Sequence, residues 1–135
     1  GSLESESENA KLPKNLEYVG GNLDLGSLTS AKGLELPETV GKHVDLGSLT
    51  SAKGLVLPKT IGGYLDLNCL EEIPAEGLEL PKTIGKYLFL DSLTSVKRLV
   101  LSGTIGGSVY LKNITKTERE ELRKQRPDLN IMPNP

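Results

Sequence analysis

The chain has 135 residues, of which 36% are hydrophobic and 4% aromatic, with a net charge of −2 and a pI near 5.5. This length suggests one domain, and the lean apolar content suits a thin rod better than a compact globule. The near-neutral charge excludes a strong pull toward nucleic acid or an anionic membrane. The single cysteine excludes an intrachain disulfide, and no apolar run approaches the roughly 18 residues of a membrane span.

In chain order, Gly1-Ser2 without a methionine reads as a cloning scar, so the sequence is expected to be cut from something longer. Residues 1–11 read as a polar, acidic tail. Leu12, Leu16 and Val19 begin a first coil, and from there to residue 115 the chain repeats itself. "GSLTSAKGL" stands at Gly26–Leu34 and again at Gly47–Leu55, with a looser copy at Asp91–Leu99. Leu-Pro-x-Thr-(Val/Ile)-Gly, which reads as a turn, stands at Leu36–Gly41, Leu57–Gly62 and Leu80–Gly85, and degenerates at Leu101–Gly106.

Each unit predicts two short strands. The first is Leu-x-Leu at Leu34/Leu36, Leu55/Leu57, Leu78/Leu80 and Leu99/Leu101. The second is Leu/Val-x-Leu at Leu23/Leu25, Val44/Leu46, Leu65/Leu67, Leu88/Leu90 and Val109/Leu111, advancing by 21, 21, 23 and 21 residues. The one irregular step coincides with two extra residues in "NCLEEIPAEG" after Leu67, which marks a surface corner. Period-two alternation sends two residues of each triplet inward. The pattern predicts a mostly β, parallel β-solenoid of about five coils with a 21-residue period and two short strands per coil. Gly41, Gly62, Gly85 and Gly106 form a column where a corner needs either φ > 0 or close backbone approach. Leu28, Leu49, Leu70, Leu93 and Ile114 form a core column.

Residues 116–135 read as a C-terminal helix and closing segment. A capping box fits at Thr115-x-x-Glu118 or at Thr117-x-x-Glu120, and Pro127 ends the helix. Leu129-Asn-Ile131 then resumes the alternation as a closing strand.

The repeats over Leu12–Thr115, best shown by "LPKTIGGYLDLNCL" at Leu57–Leu70, resemble the leucine-rich repeat proteins, and more closely the degenerate short repeats of bacterial and phage proteins. Ile61–Leu70 also resembles strands of the receptor L domains. The chain departs from the common leucine-rich pattern, with Thr83 where that pattern has Asn and Gly85 where it has its last Leu. A straight, mostly β rod is therefore expected rather than a horseshoe backed by helices. The resemblance implies surface recognition and supplies no catalytic residues.

The outward positions of the second strand series carry the candidate site. The residue between the two inward ones runs Asp24, Asp45, Asp66, Phe89, Tyr110, and the residue before the strand runs Asn22, His43, Tyr64, Tyr87, Ser108. Four of the five aromatics thus fall on one face, either as binding anchors or as rings packed up a ladder. The three stacked aspartates read as a solvated acidic strip, since they offer too few convergent oxygens for calcium. His43, the lone histidine, reads as a surface residue. Cys69 reads as a structural thiol in the column of Ser27, Ser48 and Ser92. The Gly-Gly pairs have no P-loop context, and Arg119, Arg123, Lys124 and Arg126 are mixed with acids, which fits nucleic acid poorly.

The expected function is a non-enzymatic module for protein–protein recognition or scaffolding. Its face would comprise Tyr64, Tyr87, Phe89 and Tyr110 with His43, Asp45 and Asp66. A carbohydrate-binding or surface-adhesion module using the same aromatics is the alternative. No catalytic residue, cofactor or metal is expected, and neither a nucleic acid nor a membrane is an expected partner. A monomer is expected, with end-to-end association left open because the first coil shows no helical cap. The compartment, cytoplasmic or secreted, stays open.

Overall fold

Each backbone N–H and C=O must find a partner, and parallel stacking of coils supplies one without folding the chain back on itself. The structure, a computed structural model describing residues 3–4, 17–101 and 103–133, is a mostly β parallel solenoid of about five coils with one short helix near its C-terminus. Leu12 and Leu16 lie outside the described residues.

The broad sheet uses the Leu/Val-x-Leu series. Its seven strands follow the order β1 (Leu3–Glu4), β3 (Leu23–Asp24), β5 (Val44–Asp45), β7 (Leu65–Asp66), β10 (Leu88–Phe89), β13 (Ser108–Tyr110) and β14 (Asn130–Met132). All pairings are parallel, and the inward register runs Leu23, Val44, Leu65, Leu88, Val109, Ile131. Leu65 still pairs with Leu88 across the longer step, so the corner absorbs both extra residues. The first strand of this sheet falls within the segment read as a polar tail, where Leu3–Glu4 pairs with Leu23–Asp24.

The other sides of each coil correct the sequence reading. Thr-(Val/Ile), taken from the following glycine as a turn, is a strand. It builds a five-stranded side sheet from β2 (Tyr18–Val19), β4 (Thr39–Val40), β6 (Thr60–Ile61), β9 (Thr83–Ile84) and β12 (Thr104–Ile105). Its β-branched residues suit the pleat, with Val19, Val40, Ile61 and Ile84 buried inward. The Leu-x-Leu series forms a ladder only where β8 (Leu78–Glu79) pairs with β11 (Leu99–Val100). Leu34, Leu55 and Leu57 are buried on this third face without being strands. Between the second and third coils, next to the two-residue insertion, the third face opens into a groove of about 490 Å³ walled by Leu55–Lys59 and Glu76–Lys82.

The glycine column is resolved in favour of close approach. A Cβ on Gly62 would collide with the Gly41 carbonyl oxygen and sit 3.0 Å from its carbon, and the same contact recurs at Gly41, Gly85 and Gly106. Positive φ belongs to the turn before the third face, at Gly33, Gly54 and Gly77, with Arg98 taking that conformation at φ 68° in the fourth coil.

The core is a set of columns. Leu23, Leu25, Leu46, Leu49, Leu65, Leu67, Leu70, Leu88 and Leu90 are at most 1% exposed, and burying each contributes roughly 1.5–3 kcal/mol. At the C-terminal end, helix α1 (Lys116–Gln125) is capped by Thr115, whose Oγ1 accepts from Glu118 N at 3.1 Å. Glu118 Oε1 accepts from Ser95 Oγ at 2.9 Å, which fastens the helix to the fourth coil. Leu122, Leu129 and Ile131 are buried over the last coil, as the closing-strand reading expected.

Gly62→Ala is expected to destabilise by roughly 1–3 kcal/mol, because the obstructing atoms are backbone and cannot rotate away. A urea titration of the purified variant checks this. A midpoint equal to the wild type would show that coils can part there at no cost.

Candidate recognition face

The broad sheet turns one set of side chains to solvent, and the parallel register stacks them in two columns. One runs Asn22, His43, Tyr64, Tyr87, Ser108, Asn130; the other runs Asp24, Asp45, Asp66, Phe89, Tyr110, Met132. The residues singled out from sequence are brought together. His43 stacks on Tyr64 with centroids 4.0 Å apart and planes at 15°. Tyr64 meets Phe89 edge-on at 5.6 Å, and Phe89 stacks on Tyr110 at 5.0 Å and 16°. Tyr87 touches both Phe89 and Tyr110, at 6.0 and 6.2 Å. The five rings are one continuous chain of contacts. Tyr87 is its exposed member at 41%, and the others are half-buried. Ladder packing is therefore present, and it holds the rings still on the face they present to solvent.

Two features of the sequence now have causes. Gly63 is required because a Cβ there would strike the His43 ring, and Gly107 because one would lie 2.6 Å from the Lys86 carbonyl oxygen, with Tyr87 Cδ1 next at 2.9 Å. At 63 and 107 the second glycine thus clears both the backbone and the ring of the coil before. The histidine is also more than a surface residue. His43 N donates to Asn22 Oδ1 at 3.0 Å, and His43 Nδ1 accepts from Tyr64 N at 3.0 Å. An accepting Nδ1 requires the neutral Nε2–H ring. Burial, then Lys86 and Lys42, lower the His43 pKa, in keeping with that bond.

The aspartates are structural. Asp24, Asp45 and Asp66 each accept through Oδ1 from the backbone N–H two residues on, at Gly26, Gly47 and Asn68, at 3.1, 2.8 and 2.9 Å. Each carboxylate closes its own corner as an Asx-turn. Where Phe89 and Tyr110 replace aspartate, the corner is held from the neighbouring coil. Asn68 Oδ1 accepts from Asp91 N at 3.1 Å, and Asp91 Oδ1 accepts from Lys112 N at 3.1 Å. Burial raises the Asp66 pKa, opposed by the Asn68 N–H and reinforced by Asp45. Burial and the charges of Asp45, Asp66 and Asp24 likewise raise that of Tyr64. Among the described residues no group of three or more His, Cys, Asp or Glu could hold a metal ion, and no helix is long and apolar enough to cross a membrane.

Asn22, Leu23, Asp24, His43, Asp45 and Tyr64 line a shallow recess of about 70 Å³ beside the rings. Cys69 is exposed and lies in the corner after β7 rather than on this face. The remaining aromatic, Tyr18, is 61% exposed in the side sheet and was not signalled by the repeat. Comparison with protein-family models, with curated proteins and with solved structures returns no match.

Two pH effects follow. In the unfolded chain His43 titrates near 6.5 and in the fold it titrates lower, so the unfolded state takes up the proton first. Stability is expected to fall as pH drops through 6.5 and to level off below the folded pKa. His43→Asn, which places an amide oxygen where Asn22 already has one, is expected to flatten that slope in denaturation midpoints measured against pH. Asp66→Asn keeps an acceptor for Asn68 N and removes a charge that burial disfavours. It is expected to raise the melting temperature at neutral pH, with the gain vanishing below about 3.8, where the wild-type carboxyl is neutral in both states.

Proposed function

We propose that this chain is a non-enzymatic recognition module of the leucine-rich-repeat type, which binds a partner protein through the ring-bearing face of the broad sheet. The carrying observation is the unbroken row His43, Tyr64, Phe89, Tyr110 and Tyr87, fixed by mutual contact on a regular sheet. Rigid aromatic surface gives up little side-chain entropy on binding, which is why such residues dominate interface energetics. The leucine-rich assignment rests on the 21-residue register and the inward leucine columns.

A second reading, a carbohydrate-binding module, is favoured by one feature. The recess places Asp24, Asp45 and Asn22 beside the stacked His43–Tyr64 pair, which combines a flat apolar platform with polar groups able to meet hydroxyls. No cofactor enters either reading.

Tyr87→Ala tests the first reading, since Tyr87 is the exposed member of the row, and Tyr64→Ala tests the second, since Tyr64 lines the recess. Binding to a captured partner, or to a glycan picked from an array, is expected to weaken at least thirtyfold, the equivalent of roughly 2 kcal/mol for an interface anchor. Unchanged affinity in a variant with wild-type melting behaviour would move the binding surface off this face.

A further inference from the structure

A strand whose backbone groups lie unpaired along one side can take up a further strand, and such sides ordinarily occur at the ends of a sheet. The third face has one in the middle of the rod. Leu78 N donates to Arg98 O at 3.2 Å, so Leu78 bonds toward the coil after it. Bonding direction alternates along a strand, and Glu79 therefore turns its N–H and C=O toward the second coil. A continued ladder would join them to Leu55 O and Leu57 N. Among the described residues neither bond forms, and Leu55 N instead closes its own corner on Ala52 O at 2.9 Å. The two coils meet again just beyond, where Lys82 N and Thr83 N both donate to Lys59 O, at 2.9 and 3.3 Å. The groove between them is thus a wedge, shut at Lys59 and Lys82 and open toward Glu76 and Gly77.

The wedge is apolar along its length and charged at its ends. Leu55, Leu57, Leu78 and Leu80 are buried behind it. Val56 and Val100 line it while standing 74% and 47% exposed, in the outward column where the first coil has Glu35. Its volume of about 490 Å³ lies in the range of pockets that hold small ligands. Lys59 and Lys82 stand at the shut end, Glu76 and Glu79 toward the open one. Lys59 meets Glu38 at 3.5 Å with both side chains about two-thirds exposed, a pair that water weakens. Lys82 has no ion pair among the described residues. A strand lying in the wedge cannot run on past the shut end, because the Lys82–Lys59 bond closes the way. Its last residue must lie there, and a free carboxylate on that residue would meet two ammonium groups.

We propose that this groove captures the free C-terminus of an extended, apolar peptide from another protein, which adds to β8 as a parallel strand with its carboxylate between Lys59 and Lys82. The backbone groups of Glu79 supply the bonds, the exposed valines select apolar side chains, and the two lysines select a chain end over an internal segment. This site lies on a different side of the rod from the aromatic row and does not depend on it.

The test is an array of hexapeptides with free C-termini, their last four positions drawn from valine, isoleucine, leucine and threonine, read beside the same array amidated. The labelled full chain is expected to bind members of the free-acid array about tenfold more tightly than their amides. Lys82→Gln is expected to erase most of that preference. Glu79→Pro deletes the N–H that faces the groove and none of the bonds between β8 and β11, so it is expected to abolish binding with the melting temperature little changed. Should Glu79→Pro fail to fold, the best peptide is read instead with its backbone nitrogens methylated at alternate positions. One alternate set is expected to abolish binding and the other to leave it, since only one side of an added strand faces β8. No binding by any free acid overturns the proposal. So do acids and amides that bind alike, binding that survives Glu79→Pro, or binding indifferent to both methylated sets. A wild type that dimerises through this groove would assign it to a second copy of the chain and overturn the proposal as well.

Discussion

Every coil must lie one strand spacing, about 4.8 Å, from the coils beside it, at the same position around the rod. That constraint makes the molecule a set of columns. It sets glycine at positions 41, 62, 85 and 106, where nothing larger clears the neighbouring carbonyl. It aligns Leu23, Val44, Leu65, Leu88 and Val109 in one inward row. It also makes the coils interdependent, because a leucine is dry only while both adjacent coils are in place.

Much of this was legible because a repeat states its rule several times. The 21-residue advance and the Leu/Val-x-Leu alternation gave the broad sheet with its register, and the two-residue insertion identified itself as a corner. The helix cap and the Leu129-Asn-Ile131 strand were readable from ordinary end signals. The side sheet was not. Thr-(Val/Ile) is only two residues long and runs into glycine, so local chemistry spoke for a turn, while the hydrogen bonds that make it a strand come from residues 21 or 23 positions away. The Leu-x-Leu face failed in the opposite direction. Its alternation is good, but the coils separate there and the ladder forms once.

The candidate face shows a similar division. Its residues could be grouped from sequence, since columns follow from the period. Their duties could not. Asp24, Asp45 and Asp66 looked like a row of like charges and turned out to be corner closures through Oδ1. His43 looked like a stray surface residue, but its ring nitrogen accepts a backbone N–H from the next coil, a bond that depends on ring tautomer and rotamer. The signal that might have revealed this was the doubled glycine at 62–63, which leaves the space the imidazole occupies. The arginines of α1 and its C-cap read from sequence as a basic patch among acids, because their acceptors are backbone carbonyls that carry no sequence signature.

The three sides of the rod are unequally tied. One carries a ladder of seven strands, one of five and one of two, and the third side also holds the groove beside the insertion. A beam laced firmly along two edges and loosely along the third has a preferred plane of bending. Strain applied to this rod should gather at the seam between the second and third coils, opening or shutting it like a book whose spine is the broad sheet. The rings on that sheet would then keep their spacing while the rod flexes, so the surface offered to a partner and the part of the molecule that yields lie on different sides.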